Sequence, residues 1–292
     1  MGDKTIGRSR TRSPHRKSGK SPPRKQKTDF NDARTLADLL RAGMLPESYR
    51  VSDEIYDLRV VVRERYFLVS KRTDVKNRIH GLATTQGLHL VDGGNPLGKK
   101  GKKWVQENDE ILKELHEVIE ELNAHIDVLD KKIEKATHTI PEAKLLMTVP
   151  GVGKITALTV IAEVGDFSRF EKPEKLASFA GLVPKQRSSG EKVRLGGITH
   201  LGSKYLRTAM VETAMRIRPE YAPELHRYVE SIKLNTSPKR ARVALARKML
   251  TIMWMMVTKN VEYNPLVFQK NRPSPSSSAI RKESYLDAIL GA

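Results

Sequence analysis

The chain contains no cysteine, so disulfides and thiolate-held metal sites are excluded outright. Its eight histidines include no His-x-x-x-His pair, so the usual helical zinc-binding spacing is absent as well. Long apolar runs are missing. The longest, Met249 to Val257, falls far short of the roughly 20 residues that span a bilayer. No N-terminal apolar stretch resembles a signal peptide. Acid is scarce relative to base: 34 Asp and Glu stand against 53 Lys and Arg, a net charge of +19 over 292 residues. That excess points to a polyanionic partner, nucleic acid first. With no anchor in view, the expected compartment is the one holding the DNA, the cytoplasm of a prokaryote beside the nucleoid or, second, a nucleus, with no membrane contact.

What is present comes in blocks. Residues 1–28 hold ten Lys or Arg, three Pro and one acid, Asp3, and are expected to be a disordered basic leader. Such a leader either lies along phosphates or has no selected role. From Thr28, a helix cap, the pattern turns helical through Leu36, Leu39 and Leu40 and ends at Gly43. A second helix is predicted from Ser52 to about Gly81, with Ile55, Leu58, Val62, Tyr66 and Val69 on one face. Its other face carries Arg59, Arg63, Arg65, Lys71, Arg72, Lys76 and Arg78, with few balancing acids, which favours phosphate contact over a solvated face.

Asp92 to Lys103 is too glycine-rich for anything but a loop. Beyond it, Ile111, Leu115, Val118, Leu122, Ile126, Leu129 and Ile133 recur at spacings of three and four, with a stutter at Leu122. This predicts a coiled-coil-like arm that pairs with a second protomer or folds back as an intrachain hairpin. Residues 141–262 are the most globular part, and 263–292 read as a flexible tail with a short helix. The predicted class is mainly α, with a short β-hairpin near residue 195.

Three constellations suit chemistry on nucleic acid. Leu145 to Gly165 reads as a helix-hairpin-helix around Pro150-Gly151-Val152-Gly153. Its glycines admit a close backbone, and the following helix start offers N–H groups to a phosphate beside Lys154. Asp29 and Asp32 lie three apart on one helix face, a spacing that either shares a divalent cation or merely complements the helix dipole. Pro184 to Arg207 places Ser188 and Ser189 before a glycine, among Lys192, Arg194, Lys204 and Arg207. Val193 to Leu195 reads as a strand, Gly196-Gly197 as a turn and Gly202-Ser203 as the start of a helix to Arg218. A hydroxyl among cations serves as a nucleophile or as a plain phosphate-binding loop. No histidine–acid pair is near in sequence, although His200 is a candidate to come close in space. Ser237-Pro238 opens a last helix whose Met-rich stripe is core, with Arg240, Arg242, Arg247 and Lys248 on the opposite side for phosphate.

Taken in order, Lys27–Pro46, Thr148–Ala157, Phe167–Pro184 and Ser188–Arg207 resemble one family. It is the insertion-sequence transposases with an N-terminal RuvC-like DEDD domain and a C-terminal transposase domain, including pilin-gene invertases and bridge-RNA-guided recombinases. The resemblance implies a DNA transposase or site-specific recombinase. In it Asp29 and Asp32 are the last two acids of a four-acid Mg²⁺ site, and Ser189, with Ser188 as fallback, is the nucleophile that forms a phosphoserine link. Gly151, Gly153, Lys154, Lys192, Arg194, Lys204 and Arg207 are expected at DNA.

A guide RNA from the element and assembly as a dimer or tetramer are the implied partners. The implied layout is a leader (1–28), a remnant of the RuvC-like domain (29–90), a loop and arm (91–140), a transposase domain (141–262) and a tail. The family's first Asp and its Glu lie on strands upstream of the motif at Lys27, and nothing here matches them. The expectation is an N-terminally truncated copy. Its alternative function is binding nucleic acid without cutting it.

Overall fold

A computed structural model of the chain describes residues 28–44, 49–85, 97–98, 101, 103, 110–189 and 192–265, with backbone alone for 186–189 and 192–195. The basic leader, most of the glycine-rich loop and nearly all of the tail lie outside the described residues. The chain divides into two units, residues 1–50 and 51–292.

In the first unit Thr28 caps α1 (Asp29–Arg41), its Oγ1 accepting from the Asn31 N–H at 3.3 Å. Asp29 and Asp32 fill the first turn and Arg41 the last, which complements the helix dipole at both ends. Gly43, at φ +63°, ends the helix in the left-handed region that glycine adopts without strain. The cap and the stop both fall where the sequence predicts them.

The second unit opens with α2 (Asp53–Thr85) and α3 (Glu110–Thr139), which run antiparallel as an intrachain hairpin. Arg65 pairs with Asp130, Arg72 donates to Asn123 at 2.8 Å, and Ile79 packs with Leu112 and Ile119. The hairpin is one of the two pairings the sequence allowed.

Its seam differs from the expected one. Leu112, Ile119, Ile126 and Ile133 are buried seven apart, whereas Ile111 is 58% and Val118 39% exposed. Apolar residues stand side by side at 111–112 and 118–119, so spacing within α3 alone does not choose between them. The facing side chains of α2 do. The result is an unbroken seven-residue repeat with no stutter.

Most of the core lies in the C-terminal helices. Pro141 starts α4 (Pro141–Met147), and a tight turn leads to α5 (Lys154–Val164), in which every residue from 156 to 164 is buried. α5 packs on α2, α3 and α4. After it come α6 (Pro173–Phe179), an antiparallel ribbon of β1 (Pro184–Ser189) and β2 (Lys192–Ile198), and α7 (Lys204–Arg216). α8 (Pro223–Lys233) and α9 (Pro238–Lys259) complete the unit, α9 resting on α4, α6, α7 and α8.

Leu245, Met249, Met253 and Met256 bury their side chains in this cluster, as the Met-rich stripe predicts. Each such burial contributes about 1.5–3 kcal/mol. α7 stops at Arg216 rather than Arg218, because Pro219 drives the residues before it out of helical geometry and Ile217 is already extended. The fold is mainly α, and the one sheet among the described residues has two strands.

Candidate nucleic-acid interface

The helix-hairpin-helix of the sequence is formed: α4, a turn through Gly151, and α5 capped by Gly153. Gly151 sits at φ +79°, and a Cβ there would lie 3.1 Å from Ile217 Cδ1. The positive φ favours glycine here, and the turn packs closely on the end of α7, within the chain. Gly153 differs. Its backbone is extended (φ −99°, ψ 179°), no side chain caps α5, and a Cβ there would meet nothing within 4 Å. Gly153 thus leaves space open at the start of α5. Lys154 forms an ion pair with Glu134 of α3, and that hydrogen bond and charge hold the Glu134 carboxyl below its ordinary range. Beside the pair lies a groove of about 520 Å³, lined by Asp127, Lys131, Thr156 and Arg216 among others.

The ribbon places Ser189 at the end of β1, in register with Lys192, and Ser188 in register with Val193; Arg187 pairs with Arg194. These positions are known by backbone alone. The turn is not where the sequence predicted it. Gly196-Gly197 lies inside β2, and the strands are joined through residues 190–191, outside the described set. The register shifts between Pro184 and Gln186 opposite this glycine pair, so the glycines accommodate a bulge, the other role they take in strands.

His200 is also displaced from its expected place. It follows the base of the ribbon, where Pro184 pairs with Ile198, while Ser189 stands at the far end. Five strand steps of about 3.3 Å separate the two ends, so His200 lies roughly 17 Å from the serine and is no partner to it.

At the base, Thr199 N–H donates to Val183 O at 2.9 Å and Ser203 N–H to Phe179 O at 3.0 Å. Ser203 caps α7, accepting from Leu206 N–H at 3.1 Å. Lys204 is exposed, 4.9 Å above the Tyr205 ring, and stands free to meet an anion. Arg207 turns inward to the Ala180 carbonyl at 3.1 Å, closing the end of α6.

Two further sets of cations face outward only in part: Lys71 and Arg78 on α2 and Arg240 on α9 are exposed as predicted, while others turn inward. On α2, Arg59 donates to Ala162 O at 2.7 Å, Arg63 binds Glu163, Arg65 pairs with Asp130 and Arg72 with Asn123. On α9, Arg242 reaches Ala214 O at 2.8 Å, and burial pushes Arg247 and Lys248 below their ordinary values. A helix packed on several sides leaves little opposite face, so most of its cations beyond the first turn are spent on carbonyls or lie half-buried.

Sequence reasoning also missed Glu163. Its side chain is 1% exposed, held by Arg63 Nε and Nη2 at 2.7 and 2.9 Å and by Ser203 Oγ at 2.8 Å. The Glu163 hydrogen bond is the main cause that raises the Arg63 guanidinium above its usual value. The available signal was one acid inside an otherwise apolar helix, LTVIAEV.

Asp29 and Asp32 are both exposed on α1. Among the described residues, no group of three or more His, Asp or Glu is placed to hold a metal ion. No helix among them is long and apolar enough to cross a membrane.

Two family profiles match the chain. The transposase profile of the IS116/IS110/IS902 family matches residues 143–230, and the DEDD transposase profile of IS110 elements matches residues 11–85. The chain is 27% identical over 248 residues to the transposase of insertion sequence IS1111A from Coxiella burnetii, covering 81% of this chain and 68% of that protein. A probable family 20 transposase from Pseudomonas aeruginosa is 28% identical over 254 residues, 82% of this chain and 75% of the relative. The pilin gene-inverting protein of Moraxella bovis is 30% identical over 147 residues, 48% of this chain and 46% of its own length. The match to a DEDD transposase profile points to use of a divalent metal. With profiles over more than half of its residues and relatives aligned over most of its length, the chain belongs to the IS116/IS110/IS902 family of transposases, enzymes that recombine DNA.

Proposed function

We propose that the chain cuts and rejoins DNA through Ser189, with Ser188 as the alternative nucleophile. The observation that carries this reading is the ribbon register. Ser189 stands opposite Lys192, two positions from the Arg187–Arg194 pair, at the far end of a ribbon whose base leads into a helix that begins with exposed Lys204. In the step proposed, the serine hydroxyl gives its proton to solvent base and its oxygen bonds phosphorus. The bond from phosphorus to the DNA 3′ oxygen breaks, and that oxygen takes up a proton. Lys192 and Arg194 offset the charge that develops on the phosphate, and Lys204, at the base of the ribbon, meets a different phosphate of the same DNA. Gly153 and the open start of α5 supply a sequence-independent grip on another phosphate, and DNA draws Lys154 away from Glu134. Gly151 and Arg207 support this surface from behind, through α7 and α6.

Asp29 and Asp32 fit the oxygen-only chemistry of Mg²⁺ as two of its ligands: carboxylates one turn apart, both open to solvent. The ion, when bound, supplies charge stabilisation at the phosphodiester. Residues 29–90 are read as part of the RuvC-like domain, 91–140 as loop and arm, and 141–262 as the transposase domain. A guide RNA, assembly as a dimer or tetramer, and a place at the nucleoid in the cytoplasm belong to the same proposal.

The test is a denaturing gel of the chain incubated with the element's terminal DNA, its flanking RNA and Mg²⁺. A covalent DNA–protein adduct is expected, absent in Ser189→Ala and retained in Ser188→Ala. Salt-sensitive DNA binding without any adduct would instead establish the alternative, a module that only holds nucleic acid.

A further inference from the structure

Two carboxylates among the described residues are buried, Glu163 and Glu224. A buried carboxylate needs its lone pairs filled. Glu163 receives two bonds from Arg63, at 2.7 and 2.9 Å, a bidentate pair that already fastens α2 to α5. Arg59 strengthens the same junction on the Ala162 carbonyl. Fastening two helices needs no more than this, yet Glu163 takes a third bond, 2.8 Å from Ser203 Oγ.

Ser203 is the cap of α7, and its hydroxyl now has both capacities in use. It donates to Glu163 and accepts from Leu206 N–H, so its rotor is fixed. The backbone at this point is fixed too. Gly202, at φ +88°, lies so close to α6 that a Cβ would overlap the Phe179 carbonyl, which itself accepts from Ser203 N–H. Only residues 200–202 separate this anchor from Thr199, whose N–H closes the ribbon base on Val183 O. The ribbon therefore projects from a clamp at its base, with Ser189 roughly 17 Å along it. A tilt of about 10° at the base moves the far end by about 3 Å, and misplacement by about 1 Å suffices to cost a hundredfold in rate.

We propose that Glu163 is a positioning residue of the recombination reaction. Through Ser203 it sets the angle of the ribbon and of the α7 start against α2 and α5, and it touches no DNA itself. The proposal rests on the reading of Ser189 as the reacting group.

Because the chain has no cysteine, spin labels can be placed at will. We take Glu64→Cys on the exposed side of α2 and Gln186→Cys on β1, and measure the label-to-label distance distribution below the unfolding transition. A single narrow distribution is expected in the otherwise native chain, at least twofold broader in Ser203→Ala and in Glu163→Gln. Ser203→Thr, which keeps the hydroxyl and the cap, restores the narrow form. In the unlabelled proteins, adduct formation falls ten- to a hundredfold in Ser203→Ala, while DNA affinity changes less than about threefold. An unchanged narrow distribution in folded Ser203→Ala overturns the clamp. If the native chain forms no adduct, the reading of Ser189 fails by itself, and the label distances still decide whether Glu163 positions the ribbon.

Discussion

From α4 to α9 the helices begin in two ways, and the two alternate along the chain. α4, α6 and α8 open on Pro141-Glu142, Pro173-Glu174 and Pro223-Glu224. α5, α7 and α9 have no acid in the first turn and carry there instead Lys154, Lys204 and Arg207, and, behind Pro238, Lys239 and Arg240. The first pattern is self-sufficient, since proline presets the backbone and an acid meets the positive helix end. The second sets like charge against that end, at a cost of about 0.3–1 kcal/mol per exposed cation. The difference separates helix starts shaped for stability from starts that suit an arriving anion. α5 and α7 are accordingly held from outside themselves, by the Gly151 turn on Ile217 and by Ser203 on Glu163.

Breaking that external support gives the largest expected effects. Gly202→Ala combines a positive φ with overlap of the Phe179 carbonyl, and its cost is expected to be about 3 kcal/mol or more, read from the denaturant midpoint. Arg63→Leu comes close behind. It leaves Glu163 charged and buried with only Ser203 as a partner, and about 3 kcal/mol is expected to go with it. Because Arg63 is itself 45% exposed, water relieves part of the penalty. Adding Glu163→Leu to that variant should return most of the stability without restoring the ribbon angle. A cost below about 1 kcal/mol for Arg63→Leu would mean that α7 is held in place by its own cap.

How much of this was legible beforehand follows from which forces are local. The cap at Thr28, the stop at Gly43, the Ser237-Pro238 start and the Met-rich core of α9 are local, and sequence reasoning places them correctly. The phase of α3 is not local: Ile111 and Leu112 are equally apolar, and Ile79 on another helix selects between them. The cations of α2 failed for the same reason, since Arg63 and Arg65 find their acids 100 and 65 residues away. Gly196-Gly197 fits a turn or a bulge equally well until the strand register is known. For the proposed site, the ribbon and the α5 turn could be located from sequence, but the inward direction of Arg207 and the distance of His200 from Ser189 could not.

One Pro-Glu start, that of α8, has an anchor besides, and it sharpens the comparison at moderate cost. Tyr263 OH donates to Glu224 Oε1 at 2.7 Å, tying the first turn of α8 to the residues after α9. Burial, then this hydrogen bond and the Glu224 charge, push the Tyr263 phenol far above its ordinary value. A raised pKa means that its stabilisation is complete below about pH 10 and is lost as pH rises beyond that. Tyr66 is raised as well, chiefly by burial, and adds to the same alkaline loss. Tyr263→Phe is expected to cost about 1 kcal/mol at neutral pH and to make the decline above pH 10 shallower without abolishing it. An unchanged alkaline profile would show that the tyrosine does not hold α8.

The smallest changes in stability discriminate best between the two kinds of helix start. Lys239→Glu turns the first turn of α9 towards the Pro-Glu pattern, and a gain of about 0.5 kcal/mol is expected from the dipole alone. Gly153→Ser does the same at α5 without altering charge. The extended backbone at Gly153 accepts serine, and open space surrounds its Cβ. The new hydroxyl would take an N–H of the first turn, a few tenths of a kcal/mol better than glycine. That N–H is one that a DNA phosphate is proposed to use. Stability and DNA affinity should therefore move in opposite directions, affinity falling several-fold on unspecific duplex. Lys154→Gln should instead lower the slope of log affinity against log salt by about one, because it removes a charge rather than a donor. If Gly153→Ser raises stability and leaves affinity untouched, the open start of α5 is an unfilled cap and not a place where DNA sits.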